Sequence, residues 1–378
     1  MRVAFISNHP APYRDAFLSR LVSAMQGQLT VFSELPCDTG HPFWELDKPD
    51  YVAEVLVPAG TAKTTACYVF MRRFVFGPYD FVMWPGIMKP YIIIPLIVSA
   101  VLGRKYGFVA DTVRQRRIPV WARWIKSFIV HRASMIFVPG AAGRAFWMNE
   151  YGVSAERICV GAYALDGEDL ERKILDKRAA EKGRLRMEIR AGIGVSPEDT
   201  MYLMVANMIP TRHYPITTEG FLKFHEKHGQ SKFVIVGRGP DLETMQLLAK
   251  TNPAIIVIPG CSFAEMLDLY VAADVYVHGG CEPASTALVV GAIAHLPLLT
   301  SEAVGCSHDC LEDGQSGFSV VSYLDPDSWH QAFEKLFLHR ERWGAMGDVA
   351  RDRSRALDVS TCVNDFISKI QSSIHERG

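Results

Sequence analysis

Ala272 to Gly305, AADVYVHGGCEPASTALVVGAIAHLPLLTSEAVG, reads as strand, turn, helix, strand and turn. The β-rich run Asp274 to Val277 stops at Gly279 and Gly280. Glu282 then precedes Pro283, a residue that suits a first helical position because its φ is already fixed and its missing N–H would be unpaired there. The spacing predicts a helix from the glutamate. Its first turn, Ala284, Ser285 and Thr286, carries no bulky side chain, so its free N–H groups and two hydroxyls can approach a phosphate. Glu282 offers a carboxylate to sugar hydroxyls. Leu296 to Thr300 returns as a buried strand, and Gly305 closes the unit near the strand's carboxyl end, where open α/β sheets bind ligands.

Working outward, 378 residues suit two domains, each with its own core. A hydrophobic share of 49% and a net charge of −1 describe a globular chain rather than a disordered or polyanion-binding one. The eight cysteines lack framework spacing and a strand-like MRVAFISN begins at once, so the reading is a reduced cytoplasmic protein without a signal peptide. The apolar run Tyr91 to Leu102 is too short for a bilayer. Arg2 to Asn8 and Met201 to Asn207 are both apolar strands ending in Asn, followed by a Pro-containing loop and an amphipathic helix, which suggests two nucleotide-type α/β halves. Neither is followed by G-x-G-x-x-G, which argues against a dehydrogenase.

Charge is uneven. Between Gly60 and Arg132 twelve lysines and arginines face only Asp80 and Asp111, a local net of plus ten, so with a total of −1 the remainder carries minus eleven. That asymmetry points to an anionic partner. Pro119 to Arg132 is helical by pattern, with Val120, Trp121, Trp124, Ile125, Phe128 and Ile129 on one stripe beside Arg123 and Lys126. Tryptophans next to cations suit a membrane interface, and the other reading is a core stripe with a solvated basic rim. No nucleic-acid motif accompanies the charge. Cys281, Cys306, His308 and Cys310 do not have the spacing of a zinc module, so no metal site is expected.

The opening stretch resembles the donor-binding motif of retaining glycosyltransferases with the GT-B fold, the large family 4-like "glycosyl transferases group 1" that includes sucrose, glycogen and lipopolysaccharide mannosyl transferases. The family pattern is E-P-F-G-L-V-x-L-E-A-M-A-x-G-x-P, matched by Glu282-Pro283 and Leu296-Pro297. The first family glutamate meets the transferred sugar and the second the ribose. The second falls here on Val290, which accepts no hydrogen bond. Gly237-Arg238-Gly239-Pro240 matches V-G-x-G-P, and Cys261 follows IIVIPG, where the family holds the base. The family's diphosphate-binding arginine and lysine correspond to Asn207 and Arg212, so one cation is lost.

The resemblance implies an α/β GT-B fold with two Rossmann-like domains facing across a cleft. Residues 1–163, with a C-terminal helix of about 355–378 returning to them, form the acceptor side, and 164–354 the nucleotide-sugar donor domain. It implies a hexosyltransferase of polysaccharide biosynthesis that uses a UDP- or GDP-linked sugar without metal, retains anomeric configuration, and acts on a glycan or lipid-linked acceptor; the basic belt and the Trp121 and Trp124 stripe add an expected peripheral contact with an anionic membrane face. Asp111, Arg212 and Glu282 are the candidate catalytic residues. Asn207, Arg212, Gly237, Cys261, Glu282, Ser285 and Thr286 are the candidate donor-sugar site, and His9, Tyr13 and Arg14 the acceptor side. Asp111 lies where relatives carry a sugar-contacting histidine, or it caps a turn. His9 is a substrate contact or a satisfied loop residue. The Val290 and Asn207 departures also fit a binding or scaffold protein that kept the fold without the chemistry.

Overall fold

The computed structural model describes residues 1–9, 12–35, 51, 53–58, 60–87, 89–113 and 118–375, with the side chains of residues 12, 13, 181 and 182 outside the description. The chain divides into two compact units, Met1–Asp166 with Leu357–Gly378, and Gly167–Ala356.

In the first unit, the strands among the described residues are β1 (Val3–Ser7), β2 (Leu29–Ser33), β3 (Ala53–Val55), β4 (Phe81–Trp84), β5 (Tyr106–Val109), β6 (Met135–Val138) and β7 (Ile158–Val160), in the order β3-β2-β1-β4-β5-β6-β7. All neighbours pair in parallel. A parallel strand has helices over both faces, so it reads as a continuous apolar run rather than an alternation. β1 shows why: Ala4 and Ile6 join one core cluster, while Val3 and Phe5 join the cluster on the opposite face.

The second unit repeats the scheme with β8 (Thr200–Val205), β9 (Ser231–Val236), β10 (Ile255–Ile258), β11 (Val275–His278), β12 (Leu298–Ser301) and β13 (Gly317–Val320), in the order β10-β9-β8-β11-β12-β13. These pairs are also parallel. The chain is therefore α/β with two doubly wound sheets.

The last helix, Val359–His375, belongs to the first unit and packs on helix Pro12–Met25 and on β7. Its apolar stripe closes one face of the first sheet: Phe366 is fully buried, its ring 5.9 Å from Phe5, 5.6 Å from Phe17 and 5.1 Å from Phe137.

The run Asp166 to Thr200 holds two helices, Gly167–Ala179 and Arg184–Gly192. The stripe on helix Val120–Arg132 splits. Ile129 faces the core, whereas Trp121 and Trp124 are 67% and 74% exposed, because the neighbouring helices Pro90–Val101 and Ala141–Tyr151 cover only the other side. Arg114, Arg116 and Arg117 of the basic belt lie outside the described residues.

Truncating Phe366 opens a cavity among three rings that cannot all collapse into it. Phe366→Ala is expected to lower the unfolding free energy by about 3–5 kcal/mol, read from urea titration of the purified chain, and a loss under about 1 kcal/mol would show that the last helix does not hold the first unit's core.

Candidate functional site

In both sheets the strands deliver polar residues at their carboxyl ends. β8 runs into a loop that closes on a short turn, Pro210–Arg212, with Pro210 at its start and His213 in the left-handed region at φ 53° at its end. The buried Tyr214 hydroxyl pins this loop by donating to the Ala206 carbonyl at 2.7 Å, and burial, the largest influence, raises its pKa. β11 runs into a second loop, and the Cys281 N–H donates to the Thr211 carbonyl at 2.8 Å, tying the two loops together.

That tie sets Arg212 against Glu282. Arg212 Nη2 lies 2.5 Å from Glu282 Oε2, with the two side chains only 15% and 10% exposed. The other carboxylate oxygen, Oε1, is 2.6 Å from His278 Nε2. Gly280 makes room for the group: a Cβ there would lie 2.9 Å from His278 Nε2 and 3.1 Å from Arg212 Cδ. Arg212 Nε is buried and meets no hydrogen-bond partner among the described residues. Arg190 and Arg353 Nε share that state, so what sets Arg212 apart is its place beside Glu282 and His278 at the carboxyl end of β11.

The other donor-sugar candidates fall differently. The helix begins four residues later than the sequence implied, at Thr286, and runs to Ile293. Ser285 is its N-cap, accepting from Leu288 N–H at 3.3 Å, and that side-chain cap, rather than Pro283, fixes the start. The Ser285 hydroxyl is therefore engaged, and its N–H points at Cys306 Sγ, 3.1 Å away. Thr286, half-buried, is the first helical residue. Val290 is 3% exposed and packs inside. The returning strand is β12, two residues later than Leu296.

Asn207 is exposed beside β8. Gly237 is needed for packing: at φ 158° a Cβ would lie 1.9 Å from the Ala206 carbonyl oxygen, and its N–H donates to Ile258 O at 3.1 Å. Cys261 is half-buried before the capping box of Ser262 and Glu265, and burial pushes its thiol up to about 11, Glu265 adding to the rise. Cys306 and Cys310 are buried, and among the described residues no group of three His, Cys, Asp or Glu is placed to hold a metal ion.

Helix Thr286–Ile293 is braced from behind. Glu171 accepts from Arg351 Nε at 2.9 Å and faces His295 Nε2 at 2.9 Å, while His295 Nδ1 faces Asp348 at 2.7 Å. Burial raises the Glu171 pKa, but the His295 and Arg351 hydrogen bonds outweigh it and hold the carboxyl below its usual range.

In the first unit, Asp111 follows β5 and gathers His9 and Arg14 around it, together with the Tyr163 hydroxyl, which donates to the carboxylate. Arg14, 8% exposed, donates to Ser7 Oγ at 2.9 Å and to the His9 carbonyl at 3.3 Å. Desolvation raises the Asp111 pKa, and Arg14, Tyr163 and His9 oppose it. Its outer surface stays exposed, which limits the shift. Tyr13 lies in helix Pro12–Met25, its side chain outside the description. Asp111 also lines a cavity of about 220 Å³ with Asn8, Lys89, Thr112, Lys126 and Trp147.

Sequence reasoning missed His278, Tyr163 and Ser7. The signal for His278 was a polar residue closing an otherwise apolar strand four residues before the motif glutamate.

Residues 186–353 match the family described as glycosyl transferases group 1. No curated protein matches the chain. Among solved structures, HepE of Anabaena in complex with UDP is 14% identical over 98% of this chain and 100% of its own, with a TM-score of 0.76. WaaG, a glycosyltransferase involved in lipopolysaccharide biosynthesis, is 16% identical over 100% of both chains at 0.66. Sucrose-phosphate synthase from Thermosynechococcus elongatus is 13% identical over 98% of both at 0.68. These likenesses establish the GT-B fold, and with a glycosyl transferases group 1 match lying wholly within its second unit, the protein is a glycosyltransferase.

Proposed function

We propose that the protein moves a hexose from a nucleotide sugar, UDP- or GDP-linked, to a glycan or lipid-linked acceptor, with retention of configuration and without a metal. The observation that carries this reading is Arg212 set against the Glu282 carboxylate, with His278 on its other oxygen, at the carboxyl ends of β8 and β11. Breaking the sugar–phosphate bond builds negative charge on the leaving diphosphate while the sugar turns oxocarbenium-like, and a guanidinium brought to the phosphate lowers that barrier. Glu282 is placed to accept from sugar hydroxyls. The solved HepE complexes with UDP and with UDP-glucose support a nucleotide-sugar donor of the uridine type. In a retaining reaction the leaving phosphate takes the acceptor proton, so Asp111 serves as a sugar contact or auxiliary base on the acceptor side with His9 and Arg14.

Peripheral membrane contact is part of this reading. No helix among the described residues is long and apolar enough to cross a membrane. Trp121 and Trp124 stand exposed with Val120 and Phe128, and Arg123, His131 and Arg132 are exposed on the same helix, which carries no acidic residue. Indoles favour the headgroup region, and each nearby cation adds about 1 kcal/mol on an anionic surface.

Arg212→Ala and Glu282→Ala are each expected to abolish transfer from UDP- or GDP-sugars with the fold intact. Arg212→Ala should weaken nucleotide binding by about 1.5–3 kcal/mol in calorimetry. Free nucleotide should bind weakly to the wild type, because Val290 supplies no ribose acceptor. Full turnover in either variant would overturn the site assignment, and a wild type that binds none of the UDP- or GDP-sugars would overturn the donor class.

For Asp111 the folded pKa lies above the ordinary 3.8, so its contribution to stability is complete below that value and is lost as pH rises through the folded pKa. The stability of wild type minus Asp111→Asn, from urea midpoints, should therefore be highest in acid and fall from about pH 4 upward. A difference that grows with pH would show the carboxylate to be stabilised instead.

On membranes, the chain should sediment with anionic and not with neutral vesicles, and high salt should release it. Failure to bind anionic vesicles at low ionic strength would remove this contact.

A further inference from the structure

β11 places Tyr276 and His278 on one side of the sheet, while Val275 and Val277 enter the core cluster on the other. His278 is wholly buried at the end of an otherwise apolar strand, where a polar ring persists only if both nitrogens are met. They are. Nδ1 is 3.3 Å from the Tyr276 hydroxyl, Nε2 is 2.6 Å from Glu282 Oε1, and the Tyr276 hydroxyl in turn donates to the Val205 carbonyl at 3.2 Å. The imidazole is thus fixed to the backbone of β8 at one end and to the candidate sugar-binding carboxylate at the other.

Glu282 needs such a hold. It lies outside any helix or strand, after two glycines, and its backbone is tied through its carbonyl, which accepts from Gly305 N–H at 2.8 Å, and through the neighbouring Cys281 N–H. Its two carboxylate oxygens have unlike partners. Oε1 meets a ring locked in the sheet, whereas Oε2 meets Arg212, a long side chain on the loop after β8.

We propose that His278 is the positioning residue of the transfer site: it holds Glu282 through Oε1, so that when Arg212 turns to a donor diphosphate, Oε2 is released to the sugar without the carboxylate losing its aim. This rests on the proposed function. Arg212 then serves as a cap on Glu282 in the empty site and as the phosphate ligand in the filled one, and the histidine keeps the carboxylate in place through both.

The test compares His278→Gln, which keeps an N–H to give to Glu282, with His278→Met, which has similar length and nothing to give. The readouts are release of UDP from UDP-glucose and of GDP from GDP-mannose, with free UDP and GDP binding by calorimetry and Tm as a check on folding. His278→Met is expected to lose about ten- to a hundredfold in kcat, the scale of a misplaced reacting group, while nucleotide Kd stays within about threefold. His278→Gln is expected to recover most of that loss. Equal turnover in His278→Met and wild type, a His278→Gln as slow as His278→Met, or nucleotide affinity falling in step with kcat would each overturn the positioning role alone. A wild type that releases neither nucleotide overturns the proposed function, and this inference with it. Should both variants fail to fold, a crystal structure of the wild type with UDP decides: Glu282 still on His278 with Arg212 on the diphosphate is the expected result, and Glu282 drawn away from His278 the contrary one.

Discussion

Parallel pairing throughout both sheets constrains the rest of this molecule. Each central strand is covered on both faces, so its side chains must be apolar over nearly its whole length, and polar groups are pushed to the strand ends. At the carboxyl ends the chain leaves the sheet into loops, and Ser7, Glu34, Asp111, Arg212 and Glu282 all lie there or just beyond. The location of function in this chain follows from the hydrogen-bonding geometry of the sheet before any particular residue is considered.

What happens at those ends is governed by the cost of burying charge. An isolated ion beneath the surface is prohibitive, so each buried charge is met by a complementary group. Glu34, fully buried after β2, is met by Lys89 Nζ at 2.5 Å and by the Tyr91 hydroxyl. Lys126 sets its ammonium over the Trp147 and Tyr151 rings at 4.8 and 4.9 Å. The Glu171–Arg351 pair is of the same kind and is structural, holding helix Thr286–Ile293 from outside the site. The Arg212–Glu282 pair differs in its place: it lies at the carboxyl ends of β8 and β11, and its carboxylate is shared with the buried His278.

Most of the architecture was legible in the sequence because its signals were local. Apolar runs of four to six residues ending in Gly, Asn or Asp marked the strands, and the repeat of that pattern after Met201 marked a second α/β half. The site was legible in part. Glu282 and Arg212 were named from their motif positions, and the structure sets them together; His9, Arg14 and Asp111, far apart in sequence, also meet. The helix start was misread because two local preferences competed. Pro283 tolerates a first helical position, but the Ser285 hydroxyl reaches Leu288 N–H and fixes the start later. The faces of helix Val120–Arg132 were not decidable from periodicity, since a stripe of Trp and Phe has the same period whether a core or solvent lies against it.

The departure at Val290 takes on a physical meaning in this setting. A glutamate at position 290, 3% exposed on helix Thr286–Ile293, would be buried and would need a partner for its charge. The helix has instead been given over to packing, with Gly291 so close to Tyr276 that a Cβ would lie 2.6 Å from its ring. That contact helps seat the Tyr276 ring, and Tyr276 in turn meets His278. The helix that carries a ribose ligand in the resembling family therefore acts here through the sheet, by supporting the tyrosine and histidine that stand behind Glu282. Loss of one carboxylate and close support of the other are two consequences of the same apolar packing.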